Sequence, residues 1–257
     1  MGVLNVTPDS FYDGGRYEDT SNILPQVEKM LEEGAAIIDI GGYSSRPGAP
    51  EVPEKIELKR VTKGVKVILE NFPGIFLSVD TFRSKVAYAA VQEGACMVND
   101  ISGGELDPEM FNTVAKLKVP YVLMHMKGTP QNMSHETSYG NLLKEILEYF
   151  LHRINKLKEY GVNDIVVDPG FGFAKTISQN YEILRNLDYF KVLETPMMIG
   201  LSRKALIYKS LGITSSEALN GTTVLNTIGL INGASILRAH DVREAMEAIK
   251  LYKLTYH

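Results

Sequence analysis

One pattern repeats eight times along this chain and constrains its fold more than any other feature. Each repeat is a short apolar run, followed by a turn rich in Gly, Asp, Ser and Asn and then by an amphipathic stretch. The apolar runs are nearly continuous, which is typical of strands that are buried on both faces of a parallel sheet. The predicted strands are 3–6, 36–40, 75–79, 96–101, 121–125, 164–167, 197–200 and 235–238.

Helices are predicted between these strands and after the last of them. In the first helical stretch Ile23, Val27 and Met30 lie on one face, because their spacing follows the helical repeat. Several of the stretches end at a glycine, the residue that most easily adopts the left-handed conformation after a helix. The predicted helices are 23–33, 54–70, 83–93, 108–116, 139–159, 179–187, 204–210, 216–232 and 242–254.

Eight strand–helix units in 257 residues predict an α/β fold, a (β/α)8 TIM barrel with a single domain over residues 1–257. A doubly wound open sheet is the alternative, but eight regular units favour a closed barrel. The 44% hydrophobic content supplies a sizeable core, and no linker or low-complexity stretch divides the chain. Strand-like sequence begins at Gly2, so we expect that residues ahead of Met1 are missing from this sequence.

Composition and charge exclude several classes of protein. The chain has 27 basic and 31 acidic residues, a net charge of −4, which argues against a nucleic-acid binder. Its single cysteine, Cys96, excludes an internal disulfide and is compatible with the reducing cytoplasm. No apolar run approaches the ~18 residues that span a membrane, and no secretory signal precedes the first strand. We therefore expect a cytoplasmic protein that acts on small molecules.

Polar residues stand where the predicted strands end. In a barrel these strand ends converge on one mouth, where barrel enzymes bind their substrates. Carboxylate and amide acceptors suit an NH-rich heterocycle, whereas basic donors suit a phosphate group. The candidates are Asn5, Asp39, Asp80, Asn99, His125, Asp168, Ser202, Arg238 and His240. Structural alternatives stay open for single members, such as a helix N-cap for Ser202 and a packed histidine for His125.

Two loops at this end are rich in Gly, Ser and Asp. Gly41 and Gly42 let backbone amides approach a ligand, and Ser45 with Arg46 can bind an anion. We expect the loops 7–17 and 42–53 to be mobile without substrate and to close over its anionic end.

Eight segments, in order, resemble the dihydropteroate synthase family. They are NVTPDSF at 5–11, SRPG at 45–48, SVDT at 78–81, VNDISGG at 98–104, MHMKGTP at 124–130, DPGFGF at 168–173, SRK at 202–204 and RAHDV at 238–242. The resemblance implies a (β/α)8 transferase of folate biosynthesis and a target of sulfonamides. It joins p-aminobenzoate to 6-hydroxymethyl-7,8-dihydropterin diphosphate, releasing diphosphate and 7,8-dihydropteroate.

The resemblance also implies roles for individual residues. The catalytic residues, which hold the pterin, are Asp80, Asn99, Asp168 and Lys204. The residues expected to pack on the pterin ring are Ile101 and Met124. Those expected around the diphosphate are Ser45, Arg238 and His240, with Asn5 on a Mg²⁺ ion. Those expected to border p-aminobenzoate are Arg46, Pro47, Phe173, Ser202 and Lys204. The family further implies a homodimer.

Three positions depart from the family pattern. Tyr43 stands where a Glu is common, Ser45 replaces a Thr but keeps the hydroxyl, and Ala205 replaces a common Ser. Two alternative functions remain open. A methyltetrahydrofolate–corrinoid methyltransferase would share the pterin contacts but has no use for the anion loop at 45–47. A pterin-binding paralogue would keep the fold without the activity.

Overall fold

Eight parallel strands make up the centre of the molecule. The structure is a computed structural model and describes residues 1–6, 23–43 and 51–256. Every predicted strand is confirmed, with bounds that differ by at most one residue at either end. The strands are β1 (Gly2–Asn5), β2 (Ile37–Gly41), β3 (Phe76–Asp80), β4 (Met97–Asp100), β5 (Tyr121–Met124), β6 (Ile165–Asp168), β7 (Met198–Ile199) and β8 (Ile236–Leu237).

The strands close into a barrel. β1 to β6 form one parallel sheet in sequence order, and β7 pairs with β8. Parallel bridges between Val167 and Met197 and between Gly2 and Ala239 join the two parts. The amide of Val3 donates to the carbonyl of Ala239 at 3.1 Å across the closing seam. The (β/α)8 barrel is therefore confirmed, and the open doubly wound sheet is excluded.

Nine α-helices lie in the described residues and surround the barrel. They are α1 (Ile23–Glu32), α2 (Glu54–Asn71), α3 (Ser84–Gln92), α4 (Met110–Leu117), α5 (Leu142–Glu159), α6 (Ile177–Arg185), α7 (Ala205–Leu211), α8 (Leu219–Ile231) and α9 (Val242–Tyr256). Within the described residues 1–6, 23–43 and 51–256, no helix is long and apolar enough to cross a membrane.

Local hydrogen bonds explain where the predicted helix bounds are wrong. The predicted helix 139–159 begins only at Leu142, because the side chain of Asn141 caps it and accepts from the amide of Lys144 at 3.1 Å. The predicted helix 216–232 is broken, because Thr214 and Glu217 form a capping box that closes a separate short turn before α8.

Side chains alternate along each strand between the helices and the barrel interior. Residues that point outward, such as Leu4, Ile40 and Leu123, belong to the main apolar core with the helices. Inward residues nearer the start of the strands form a separate apolar layer inside the barrel, which includes Val122 and Met198. This layer closes the barrel from below and leaves the carboxyl ends of the strands as the place for polar chemistry.

Candidate active site

Each strand contributes one inward position near its carboxyl end, and these positions form the barrel mouth. They are Asn5, Gly41, Asp80, Asn99, Met124, Asp168, Gly200 and Arg238. Five of the eight carry polar side chains, whereas the layer beneath is mainly apolar, with Asp39 and Ser78 as buried polar members. The two glycines leave space: a Cβ atom at Gly200 would lie 3.6 Å from the Nζ atom of Lys204. Of the nine polar residues predicted at the strand ends, five lie at these positions, namely Asn5, Asp80, Asn99, Asp168 and Arg238.

The side chains of Asp39, Asp80, Asn99 and Arg238 bond to one another, and we call these four residues the carboxylate floor. Nε of Arg238 donates to Oδ2 of Asp39 at 2.7 Å, and its Nη2 donates to Oδ2 of Asp80 at 2.6 Å. The Asn99 amide donates to the same oxygen of Asp39 at 2.9 Å. Arg238, expected at the diphosphate, thus already links two carboxylates from β2 and β3.

Burial of the floor changes its proton affinity. It raises the pKa of Asp80 to about 7, and although Arg238 opposes this rise, the neighbouring carboxylates of Asp39, Glu57 and Asp100 add to it. Asp39 is fully buried, and its Oδ1 atom has no hydrogen-bond partner among the described residues. The floor therefore holds desolvated acceptor oxygens, as a ligand with N–H groups requires.

Asp168 and Lys204 form a further pair of opposite charges at the mouth, and both also interact electrostatically with Arg238 of the floor. Burial raises the pKa of Asp168 and lowers the pKa of Lys204 to about 8, while the attraction between the two charges opposes both shifts. The Nζ atom of Lys204 donates to the carbonyl of Phe171 at 2.6 Å and lies 4.8 Å from the centre of the Phe173 ring. Lys204 thus joins the acidic side of the mouth to an aromatic wall.

That aromatic wall belongs to a second apolar cluster, distinct from the main core. The structure brings together three residues predicted to contact substrates, namely Ile101, Met124 and Phe173. Met126, Met133 and Ala174 complete the cluster. The two methionines were missed, since no pattern in the sequence distinguishes them from core methionines. A flat heterocycle could lie between this cluster and the carboxylate floor.

The turn that carries Ile101 is held by its neighbour Asp100, another residue without a predicted role. One oxygen of Asp100 accepts from the amide of Ser102 at 2.7 Å. The other accepts from the amide of Gly104 at 2.8 Å and from the hydroxyl of Tyr121 at 2.7 Å. The Asp-x-Ser-x-Gly spacing is a turn signal that predicts this arrangement.

Ser202 and His240 lie together beside the mouth. The Oγ atom of Ser202 accepts from the amide of His240 at 3.2 Å and lies 3.1 Å from its Nδ1 atom. The N-cap position of α7 is Lys204, so the alternative role of Ser202 as an N-cap is wrong. Arg203, between these residues, is bound through two nitrogens to Asp241 at 2.8 and 2.9 Å.

His125 does not line the mouth. It is buried behind β5 with its Nδ1 atom 3.0 Å from the Nζ atom of Lys175, and its ring meets the Tyr149 ring edge-on at 4.9 Å. The packed alternative is therefore confirmed. Lys175 was missed, although a lysine directly after the apolar stretch 171–174 is itself a signal for a buried charge.

Several predictions fall outside the described residues. Ser45, Arg46 and Pro47 lie there, as do the whole of the loop 7–17 and residues 44–50 of the loop 42–53. Tyr43, the last described residue before that gap, is buried; its ring packs edge-on against Phe82 at 5.1 Å. Its hydroxyl accepts from the Gln131 amide at 2.8 Å. The Tyr that replaces a common Glu therefore packs between neighbouring loops.

The donor set at the mouth is compatible with a magnesium ion held mainly by substrate. Asn5 is half-buried at the carboxyl end of β1, where its amide oxygen can serve as a ligand. In the part of the chain that the structure describes, no three His, Cys, Asp or Glu residues form a metal-binding group. Mg²⁺ commonly binds through one protein ligand, phosphate oxygens and water, so a single Asn fits this ion.

Comparisons of the sequence and of the structure with known proteins point to the same family. The model of the family described as "Pterin binding enzyme" matches residues 1–240. A dihydropteroate synthase from Synechocystis sp. is 43% identical over 252 residues, 97% of this chain and 86% of that protein.

Solved structures agree with this sequence match. The Yersinia pestis dihydropteroate synthase, solved with a sulfonamide drug complex, has a TM-score of 0.92 at 39% identity and covers 99% of this chain and 92% of its own. The Xanthomonas albilineans dihydropteroate synthase with 4-aminobenzoic acid has a TM-score of 0.90 at 35% identity, with coverage of 99% and 91%. This chain therefore belongs to the pterin-binding enzyme family, within its dihydropteroate synthases.

Proposed function

We propose that the barrel mouth condenses p-aminobenzoate with 6-hydroxymethyl-7,8-dihydropterin diphosphate, giving 7,8-dihydropteroate and diphosphate. The observation that carries this proposal is the division of the mouth into a carboxylate floor and an apolar cluster. Membership of the dihydropteroate synthases makes the protein a transferase and favours this reaction over methyl transfer to a corrinoid.

The carboxylate side suits the hydrogen-bonding edge of a pterin. This edge carries an amino group and a ring N–H, which are donors. Asp80, Asn99 and Asp168 offer acceptor oxygens in a desolvated setting, where charge-assisted hydrogen bonds are strong. The ring then packs on Ile101 and Met124, which lie in one apolar cluster.

The same carboxylates assist the chemistry. The carbon–oxygen bond between the pterin methylene and diphosphate breaks, and the electron pair leaves with diphosphate. Positive charge develops on the methylene and the pterin ring, where nearby carboxylates stabilise it electrostatically. The amine nitrogen of p-aminobenzoate then forms the new bond to the methylene and releases a proton. No covalent intermediate with the enzyme forms in this scheme.

The anionic leaving group needs positive charge on the opposite side. Ser45, Arg238 and His240 are proposed to bind the diphosphate. Asn5 is proposed to hold a Mg²⁺ ion, which would neutralise the growing negative charge of the diphosphate. Arg238 is already paired with Asp39 and Asp80, so we propose that it serves the diphosphate from this fixed position. Its immobility lowers the reorganisation needed when the leaving group becomes charged.

The other substrate would lie beside Lys204 and Phe173. Their cation–ring contact at 4.8 Å supports a place where an aromatic ring and a carboxylate are bound together. Arg46, Pro47 and Ser202 are proposed to border the same substrate. A sulfonamide that resembles p-aminobenzoate would compete there.

The proposed assembly is a homodimer in the cytoplasm. Val224 and Ile231 on α8 are 50% and 46% exposed, whereas Leu230 on the same helix is buried. An exposed apolar stripe of this kind supports a protein interface. Sedimentation of the purified protein should give twice the 28.5 kDa of one chain, and a single-chain mass would contradict the dimer.

The proposed chemistry is tested by following the fate of the pterin. An assay with both substrates should form dihydropteroate with Mg²⁺ and lose the activity when a chelator removes the ion. A soak of crystals with the pterin diphosphate alone should show a pterin cation separate from diphosphate. A covalent pterin–enzyme adduct would contradict the scheme.

A further inference from the structure

The loop between β6 and α6 depends on a buried lysine that the proposed chemistry does not use. Lys175 is 8% exposed and stands at the end of this loop, just before the N-cap of α6. Burying an ammonium group is unfavourable unless its donors are all bonded. The hydrogen bonds of Lys175 therefore indicate its role.

Its Nζ atom lies among four acceptors, three of them close. It donates to the carbonyl of Phe173 at 2.9 Å and to that of Gly170 at 3.1 Å. The Nδ1 atom of His125 lies 3.0 Å away and the His125 carbonyl 3.4 Å away. An ammonium group has three N–H donors, which the three close acceptors take up when His125 carries its proton on Nε2.

The backbone that Lys175 holds is an unusual one. Gly170, Gly172 and Ala174 have φ angles of 72°, 80° and 51°. The left-handed conformation is unfavourable for alanine, so Ala174 keeps it only because its surroundings impose it. A Cβ atom at Gly170 would collide with the carbonyl oxygen of His125, so the loop packs directly on the end of β5.

Two lysines hold this loop from opposite sides. Lys175 bonds the carbonyls of Gly170 and Phe173 from the buried side, and Lys204 bonds the carbonyl of Phe171 from the mouth. The Phe173 ring lies beneath the Lys204 ammonium. A shift of the loop backbone would therefore move both groups that are proposed to border p-aminobenzoate.

We propose that Lys175 is a positioning residue for p-aminobenzoate, which fixes the backbone of residues 170–173 and through it places the Phe173 ring and the Lys204 ammonium. The proposal rests on the proposed function for the identity of this substrate. The carboxylate floor makes no hydrogen bond to Lys175, so pterin binding should depend on it less than p-aminobenzoate binding does. The remaining link to the pterin runs through Asp168, which accepts from the amide of Gly170, and through Lys204.

Lys175→Met tests the proposal, since methionine keeps most of the side-chain length and removes every donor. We expect KM for p-aminobenzoate to rise by about tenfold or more, because small displacements of bound groups weaken catalysis strongly. The dissociation constant for the pterin should rise by a smaller factor, because the hydrogen bonds of the carboxylate floor do not involve Lys175. The control is Val65→Ala, which loses packing in the core on α2 and should leave both constants unchanged.

An unchanged KM for p-aminobenzoate in Lys175→Met would overturn the proposal, as would an equal loss in pterin affinity. If Lys175→Met does not fold, Lys175→Gln is used instead, because its side-chain amide keeps two N–H donors. Its KM for p-aminobenzoate should still be higher than that of the wild type. Amide hydrogen exchange separates this proposal from the proposed function. Faster exchange confined to 170–174 sustains the positioning role even in an inactive protein, and unchanged exchange there refutes it.

Discussion

The carboxylate floor and the β6–α6 loop lie on two sides of one mouth, yet they are held in different ways. In the floor, charged side chains bond to one another: Arg238 meets Asp39 at 2.7 Å and Asp80 at 2.6 Å. In the loop, lysine side chains bond backbone carbonyls, as Lys204 does at Phe171 and Lys175 at Phe173. Loss of one floor member leaves buried charges unpaired, whereas loss of a loop contact frees a neutral group.

The two ways of holding the site suit the two substrates. Fixed charges beside the pterin provide an electrostatic environment that does not need to rearrange during the reaction. A loop held by hydrogen bonds to its backbone places an aromatic wall and a cation for the second substrate without further charges. The two regions should therefore respond differently to substitution, first in stability and then in affinity.

Arg238→Met should have the largest effect on stability. It leaves Asp39 and Asp80 buried without their cation, which is expected to lower the free energy of unfolding by about 3–5 kcal/mol. Urea denaturation measures this loss. The matched control is Arg243→Met, which removes a 3.8 Å ion pair between an exposed arginine and Glu33. It should cost less than about 1 kcal/mol, because Glu33 also has Lys29 at 3.8 Å. Equal losses in the two variants would show that the floor is not a coupled unit.

Asn180→Leu tests the loop side and should have a smaller effect. The Asn180 side chain accepts from the amide of Gly172 at 2.7 Å and donates to the carbonyl of Thr176 at 2.6 Å. We expect a loss of about 1 kcal/mol, because the released groups are neutral and Gly172 is exposed to water. Thermal or urea unfolding measures it, with exposed Asn71→Leu as the control. A loss as large as that of Arg238→Met would remove the distinction between the regions.

Asp80→Asn should act mainly on ligand affinity. The carboxylate is lost but the shape is kept, so pterin affinity should fall by about tenfold or more, as expected for a charge-assisted hydrogen bond. Titration calorimetry with a pterin ligand measures the change. Asp164→Asn is the control, since this aspartate is exposed at the opposite end of the barrel. Unchanged affinity in Asp80→Asn would refute the placement of the pterin on the floor.

The floor should also make stability depend on pH. Burial raises the pKa of Asp80 from 3.8 to about 7, so between these values the folded protein keeps a proton that the unfolded chain has released. The resulting stability is present below the lower value and is lost as the pH rises through about 7. Denaturation curves across this window should show the loss in the wild type and a smaller one in Asp80→Asn. Identical slopes would contradict the assignment.

The sequence was sufficient for the fold because its apolar runs and its turn residues agree at every unit. It was also sufficient for the strand-end residues, since an eight-stranded barrel fixes which positions converge. It could not reveal that Arg238 pairs with Asp39 and Asp80, because three strands far apart in sequence bring these groups together. Nor could it separate the Met126 and Met133 cluster from the core, since both have the same apolar pattern.

The most direct test of the account is to incubate the purified wild-type protein with 6-hydroxymethyl-7,8-dihydropterin diphosphate, p-aminobenzoate and Mg²⁺. The account predicts equal amounts of 7,8-dihydropteroate and diphosphate, with no product when Mg²⁺ is chelated. A folded protein that binds the pterin but forms no dihydropteroate would contradict it and would identify the chain as a pterin-binding paralogue without activity.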